Sequence, residues 1–217
     1  MMRTHVIVSY GLRWWRHAVL ALLLGLAGAC AASGATLLIL GDSLSAGYGL
    51  SRGEGWVELL ERKLASEKVS ARVVNASVSG ETTAGGLSRL PALLREHRPS
   101  ILVIELGGND GLRGAPPETI RANLERMARL GREAGARVVI LGMRLPPNYG
   151  PSYTAAFERT FREAARATGS ELVPFFLERL GTDFRYFQPD RIHPTAAAQP
   201  LMLETVWPTL RRLLNTR

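Results

Sequence analysis

Cysteine is nearly missing from this chain. Cys30 is the only one in 217 residues, so no intrachain disulfide can form. Lysine is almost as scarce: Lys63 and Lys68 are the only two, and the formal charge of +8 rests on arginine. Those arginines are scattered among glutamates at helical spacing, with no basic run interleaved with aromatics, which excludes nucleic-acid binding as the working expectation. There is no H-E-x-x-H and no cluster of His or Cys at ligand spacing, so no metal is expected. Neither G-x-G-x-x-G nor a P-loop occurs, and no cofactor is expected. Long apolar runs are also absent but for one: "AVLALLLGLAGACAA" is too short to span a bilayer comfortably. Preceded by Arg3, Arg13 and Arg16 and ending in small residues, it has the layout of a secretory signal peptide, with Ala29-Cys30-Ala31 as a cleavage site. We therefore expect a leader over residues 1–31, a single domain over 32–217, and export to the periplasm or the medium. Removing the leader lowers the charge to +5 and takes the only cysteine with it. Lipidation of Cys30 is disfavoured because Ala27 stands where a larger aliphatic residue is usual.

What is present is alternation. Apolar runs of strand length at Thr36–Leu40, Ala71–Val74, Ile101–Leu106, Arg137–Leu141 and Glu171–Val173 are separated by helical patterns. Trp56, Leu59, Leu60 and Leu64 mark one helix, and Ile120, Leu124, Met127 and Ala128 another, after the prolines of "GAPPET". Phe157, Phe161, Ala164 and Ala165 mark a third. A last helix follows Thr195, with an interruption expected near Pro208. Continuous apolar strands joined by helices mean a parallel sheet covered on both faces, a three-layer α/β/α domain.

Two serines compete for a chemical role. Gly49-Leu50-Ser51-Arg52-Gly53 matches G-x-S-x-G, but that motif needs a strand directly before it and a helix directly after it, and Ser51 has neither. Ser43, in "LLILGDSLSAGYGL", is delivered by a strand to the carboxyl edge of the sheet, where open α/β folds place their sites. A serine nucleophile needs a base that is itself oriented by a third group. After the leader only two histidines remain. His97, in "LREHRPS", reads as a solvated group at a helix C-terminus. His193, in "QPDRIHPT", has Asp190 three residues before it. "NASVSGETTAGG" and "GGND" follow the second and third strands, so Gly80 and Asn109 reach the same edge and can supply oxyanion donors. Asp42 and Asp110 read as turn-shaping acids.

"GDSLSAGYG", the glycine of "NASVSGETTAGG", "GGNDGLRG" and "DRIHPTAAAQP" resemble the four conserved blocks of the GDSL or SGNH hydrolases, in the family's order. The wording is most similar to the branch of bacterial periplasmic arylesterases, acyl-CoA thioesterase I and lysophospholipase L1. The resemblance implies a flavodoxin-like fold with five parallel strands. It implies Ser43 as nucleophile, His193 as base and Asp190 as its partner, with Ser43, Gly80 and Asn109 forming the oxyanion hole. Arg191 departs from it, standing where this branch usually has glycine.

The expected function is an exported monomeric serine hydrolase of acyl esters, thioesters or lysophospholipids, with contact to membrane lipid as an option. Leu112 and the prolines of "GLRGAPP", with Leu145 and Pro146 after the fourth strand, would line an acyl groove. A carbohydrate O-acetylesterase on the same fold and a non-catalytic lipid-binding protein are the alternatives.

Overall fold

The computed structural model describes residues 34–216. The expected leader, with Cys30, lies outside the described residues. Five parallel strands form one sheet: β1 (Ala35–Gly41), β2 (Ala71–Asn75), β3 (Ile101–Glu105), β4 (Arg137–Leu141) and β5 (Glu171–Val173), in the order β2-β1-β3-β4-β5. This is the flavodoxin-like order, which reverses between β1 and β3 and opens a crevice at their carboxyl ends. The expected strands are present to within a residue at each end. Their side chains explain why: Leu37 to Leu40, Ile101 to Ile104 and Val138 to Leu141 are all buried, as strands covered on both faces require.

The short helix α1 (Ser43–Ala46) follows β1 at once, and α2 (Trp56–Ser66) crosses to β2. Next come α3 (Thr83–His97), the short α4 (Gly108–Leu112), α5 (Pro117–Glu133), α6 (Pro151–Thr168) and α7 (Gln199–Asn215). Helices α3, α5 and α6 pack in a row as one layer, while α2 packs on α7 in the other. Phe157 and Phe161, one turn apart on α6, are buried edge to face at 5.1 Å. Trp56 does the same with Phe176 at 5.4 Å in the opposite layer.

Two expectations need correction. Pro208 does not interrupt the last helix: α7 runs unbroken from Gln199 to Asn215. The carbonyl that Pro208 leaves without an N–H belongs to Glu204, and both residues face solvent, so water can take the place of the lost bond. His97 ends α3 as expected but is not solvated, its side chain being only 17% exposed. It follows buried Leu94 by three residues and so shares that helix face.

Candidate active site

The turn after β1 sets Ser43. Asp42 caps α1, its carboxylate accepting from the Leu44 N–H at 3.0 Å, and Gly47 closes this single turn in the left-handed conformation at φ 73°. Beneath the turn lies Glu105, the last residue of β3 and fully buried. Its Oε2 accepts from the Asp42 N–H at 3.2 Å and from Ser45 Oγ at 2.7 Å. Ser45 Oγ accepts in turn from Trp56 Nε1 at 3.2 Å, and the Trp56 N–H donates to Gln199 Oε1 on α7 at 3.0 Å. Gly41 makes this possible. It stands beside Glu105 in the register of β1 and β3, and a Cβ there would sit 2.7 Å from Glu105 Oε2 and 2.8 Å from the Ser45 side chain.

At the other end of the chain, residues 188–194 form a tight loop. The Asp190 carboxylate accepts from the Ile192 N–H at 2.9 Å and from the His193 N–H at 3.0 Å, and meets His193 Nδ1 at 2.6 Å. His193 Nε2 lies 3.0 Å from Ser43 Oγ. Desolvation works to raise the Asp190 pKa, but the His193 N–H, the imidazole and the Ile192 N–H together overcome it and hold the group down at about 2. With Asp190 ionised, the ring hydrogen belongs on Nδ1, which leaves Nε2 to accept from the serine hydroxyl. The Tyr48 ring lies against His193 at 4.4 Å, and Gln188 Nε2 donates to the Tyr48 carbonyl at 2.9 Å, tying the His193 loop to the Ser43 loop.

Asn109 enters from α4. Its Nδ2 donates to Asp42 Oδ2 and to the Glu81 carbonyl, each at 3.0 Å. Both amide hydrogens are thus engaged, and an oxyanion drawing on this amide must share or displace one of these acceptors. Gly80, one residue before Glu81, has φ 80° and nothing within 4 Å of where a Cβ would stand. Asp110 accepts from the Thr83 N–H at 2.9 Å and from its hydroxyl, joining α4 to the start of α3.

A cavity of about 640 Å³ opens here, with Ser43, Asn109 and His193 in its lining. Leu112, Leu145 and Pro146 line it, as expected, and so do Phe175, Leu177 and Phe184, which the sequence did not single out. Gly80 is not in the lining. Ser51 is an exposed loop residue whose N–H donates to Glu54 Oε2 at 2.8 Å. Among the described residues, no three His, Cys, Asp or Glu side chains are grouped to hold a metal ion.

Asp42 and Glu105 are two buried carboxyls in one small space. Burial pushes Asp42 up to about 6, against the lowering effects of the Leu44 N–H, Glu105, the His193 charge and Asn109. Burial, and then the Asp42 charge, push Glu105 well above the ordinary carboxylate range. Asp42 in the unfolded chain ionises near 3.8, whereas folded Asp42 keeps its proton to about 6. Between those values the unfolded state binds fewer protons, so this group lowers stability as pH rises through the window. Asparagine can still cap α1 but cannot ionise. Asparagine gives up the bond from Asn109 at either pH, so the melting temperature of Asp42→Asn minus that of wild type should be more positive at pH 7.5 than at pH 4. Thermal melts at the two pH values check this, and a difference independent of pH would count against the burial argument.

A reversal of strand order with a serine, a histidine and two loops converging at its carboxyl edge defines a class of hydrolase. The chain belongs to the GDSL-like lipase/acylhydrolase family, whose model matches residues 39–200. It is 55% identical over 183 residues to "Esterase TesA" of Pseudomonas aeruginosa, covering 84% of this chain and 91% of that protein. It is 43% identical over 185 residues to "Thioesterase 1/protease 1/lysophospholipase L1" of Escherichia coli K12, covering 85% and 88%. The solved structure of the psychrotrophic esterase EstA from Pseudoalteromonas, inhibited by monoethylphosphonate, superposes with a TM-score of 0.80 at 40% identity, over 83% of this chain and 99% of that one.

Proposed function

We propose that the protein is a serine esterase and thioesterase in which Ser43 forms an acyl-enzyme. Ser43 Oγ attacks the acyl carbon while His193 Nε2 takes its proton, and Asp190 steadies the imidazolium. The oxyanion is held by the Ser43 and Gly80 N–H groups and the Asn109 amide. His193 then gives its proton to the departing alcohol or thiol. Water, deprotonated by the same imidazole, attacks the ester on Ser43 and frees the acid. The observation that carries this reading is the run of short contacts from Ser43 Oγ through His193 to Asp190, with Ser43 and His193 lining a cleft. The names of the relatives, an esterase and a thioesterase/lysophospholipase, support the same bond type. We place the enzyme outside the cytoplasm on the strength of the leader-like residues 1–31. Stoichiometric labelling of Ser43 by an alkyl phosphonate tests the nucleophile directly, and a chain left unlabelled would favour a binding protein without turnover.

The cleft's lining separates two substrate classes. The aliphatic wall of Leu112, Leu145, Pro146 and Leu177 suits an acyl chain, while Phe175 and Phe184 are rings on which a sugar could stack; the mainly apolar lining favours the acyl chain. Each buried methylene is worth about 0.8 kcal/mol, nearly fourfold in kcat/KM if it persists in the transition state. Values of kcat/KM for p-nitrophenyl esters should climb from acetyl to hexanoyl. Leu112→Asp should flatten that climb more than it slows acetyl ester turnover. A steep preference for acetyl, indifferent to Leu112→Asp, would instead identify an O-acetylesterase.

A further inference from the structure

Two guanidinium groups stand in the cleft wall, Arg144 and Arg191. Arg144 is already paired: it meets Glu158 at 3.1 Å and lies over the Phe175 ring at 4.8 Å. Arg191 lies over the ring of Phe184 at 5.0 Å and enters no ion pair among the described residues. The acids of its surroundings are otherwise occupied. Asp190 is committed to His193 and the loop N–H groups, and Asp183 pairs with Arg185 at 2.6 Å. The acids of the lining itself are Asp42, which caps α1, and Glu178, on the wall that carries Leu177.

Arg191 is also held in an unfavourable conformation. Its φ is 59°, in the left-handed region where a side chain is strained and glycine is not. The turn is pinned there by the Arg191 N–H donating to the Gln188 carbonyl at 2.8 Å. Nothing in the turn itself calls for an arginine.

The reaction decides which half of a substrate Arg191 faces. The leaving oxygen must collect its proton from His193 Nε2, so the alcohol half lies on the His193 side of the cleft. Arg191 is two residues from His193 on the same turn, whereas Leu112 shares α4 with Asn109 and Leu145 packs beside Gly111 of that helix. We propose, building on the Ser43 esterase reading, that Arg191 recognises a phosphate carried by the alcohol half. The substrate class is then the acyl glycerophosphate, a lysophospholipid whose phosphate is only a glycerol carbon chain away from the ester. An acyl-CoA carries its phosphates at the far end of a long pantetheine arm, beyond the reach of a side chain next to the base.

The test compares three substrates with the same lauroyl group, each below its micellar concentration: monolauroylglycerol, lauroyl-lysophosphatidylglycerol and lauroyl-CoA. The readout is the ratio of kcat/KM for the phosphate-bearing substrate to that for the neutral glyceride. Arg191→Gly should lower the lysophospholipid ratio about tenfold, through KM, as expected for one exposed guanidinium–phosphate contact. Arg191→Lys should retain part of it. Added salt should lower the ratio in the wild type and not in Arg191→Gly. Because glycine relieves the left-handed strain, Arg191→Gly should melt no lower than wild type, which separates recognition from folding. An unchanged ratio, or an equal loss on the neutral glyceride, would overturn the proposal. An effect confined to lauroyl-CoA would overturn the assignment to lysophospholipids. Failure of the wild type to cleave any of the three would instead overturn the esterase reading on which the proposal rests.

Discussion

Ser43→Ala should abolish ester hydrolysis, a loss of about 10⁴-fold or more in kcat, and leave the protein folded. The loss follows from chemistry: without Oγ, His193 Nε2 at 3.0 Å has no proton to take and the acyl group has no acceptor. The fold survives because Ser43 is only partly buried and its hydroxyl is not part of the network beneath it, which runs through Ser45, Glu105 and Trp56. Ser51→Ala, by contrast, keeps most of the activity, since Ser51 is an exposed loop residue whose contact with Glu54 is made through its backbone. Initial rates on a p-nitrophenyl ester together with thermal melts check both. If Ser51→Ala were the dead variant, the nucleophile assignment and the reading of the sheet edge would fall together.

Asn109→Ala carries the second-largest effect, a fall in kcat of about 10²–10³, the usual loss for one oxyanion donor. The amide also braces the site, because its two hydrogens tie Asp42 to the loop that carries Gly80. A kinetic loss and a stability loss are therefore both expected, and they must be measured apart. A variant with lower melting temperature but unaltered kcat would make Asn109 a strut and remove it from the oxyanion hole. A fall in kcat that exceeds any rise in KM marks an interaction made in the transition state.

The strands were legible because a sheet covered on both sides leaves continuous apolar runs, and β1, β3 and β4 are such runs. The contact of Ser43, His193 and Asp190 was legible because a strand end, a D-x-x-H turn and two glycine-rich loops each have a local signature. Glu105 was not. It closes the apolar run "ILVIEL" as one acid with no partner nearby in sequence, and its partners Asp42 and Ser45 lie 63 and 60 residues away. Nor was the duty of Gly41, whose lack of a side chain makes room for Glu105 on the neighbouring strand. Pro208 was misjudged because a propensity penalises proline in any helix, whereas the actual cost depends on whether the freed carbonyl faces water. Phe175, Leu177 and Phe184 belong to irregular segments after β5, where no period reports which side chains turn inward.

The site joins residues from both ends of the domain: Ser43 follows the first strand, and His193 precedes the last helix. Their loops are held together by Gln188 on Tyr48, and α2 is held to α7 by Trp56 on Gln199. A ribosome releases the nucleophile early and the base almost last. Any chain cut short before residue 190 therefore carries a serine with neither its base nor the acid that orients it. Activity becomes a completion signal, reporting that synthesis has finished and that the two ends have docked. Half-made copies cannot attack the lipids and thioesters of the cell that makes them.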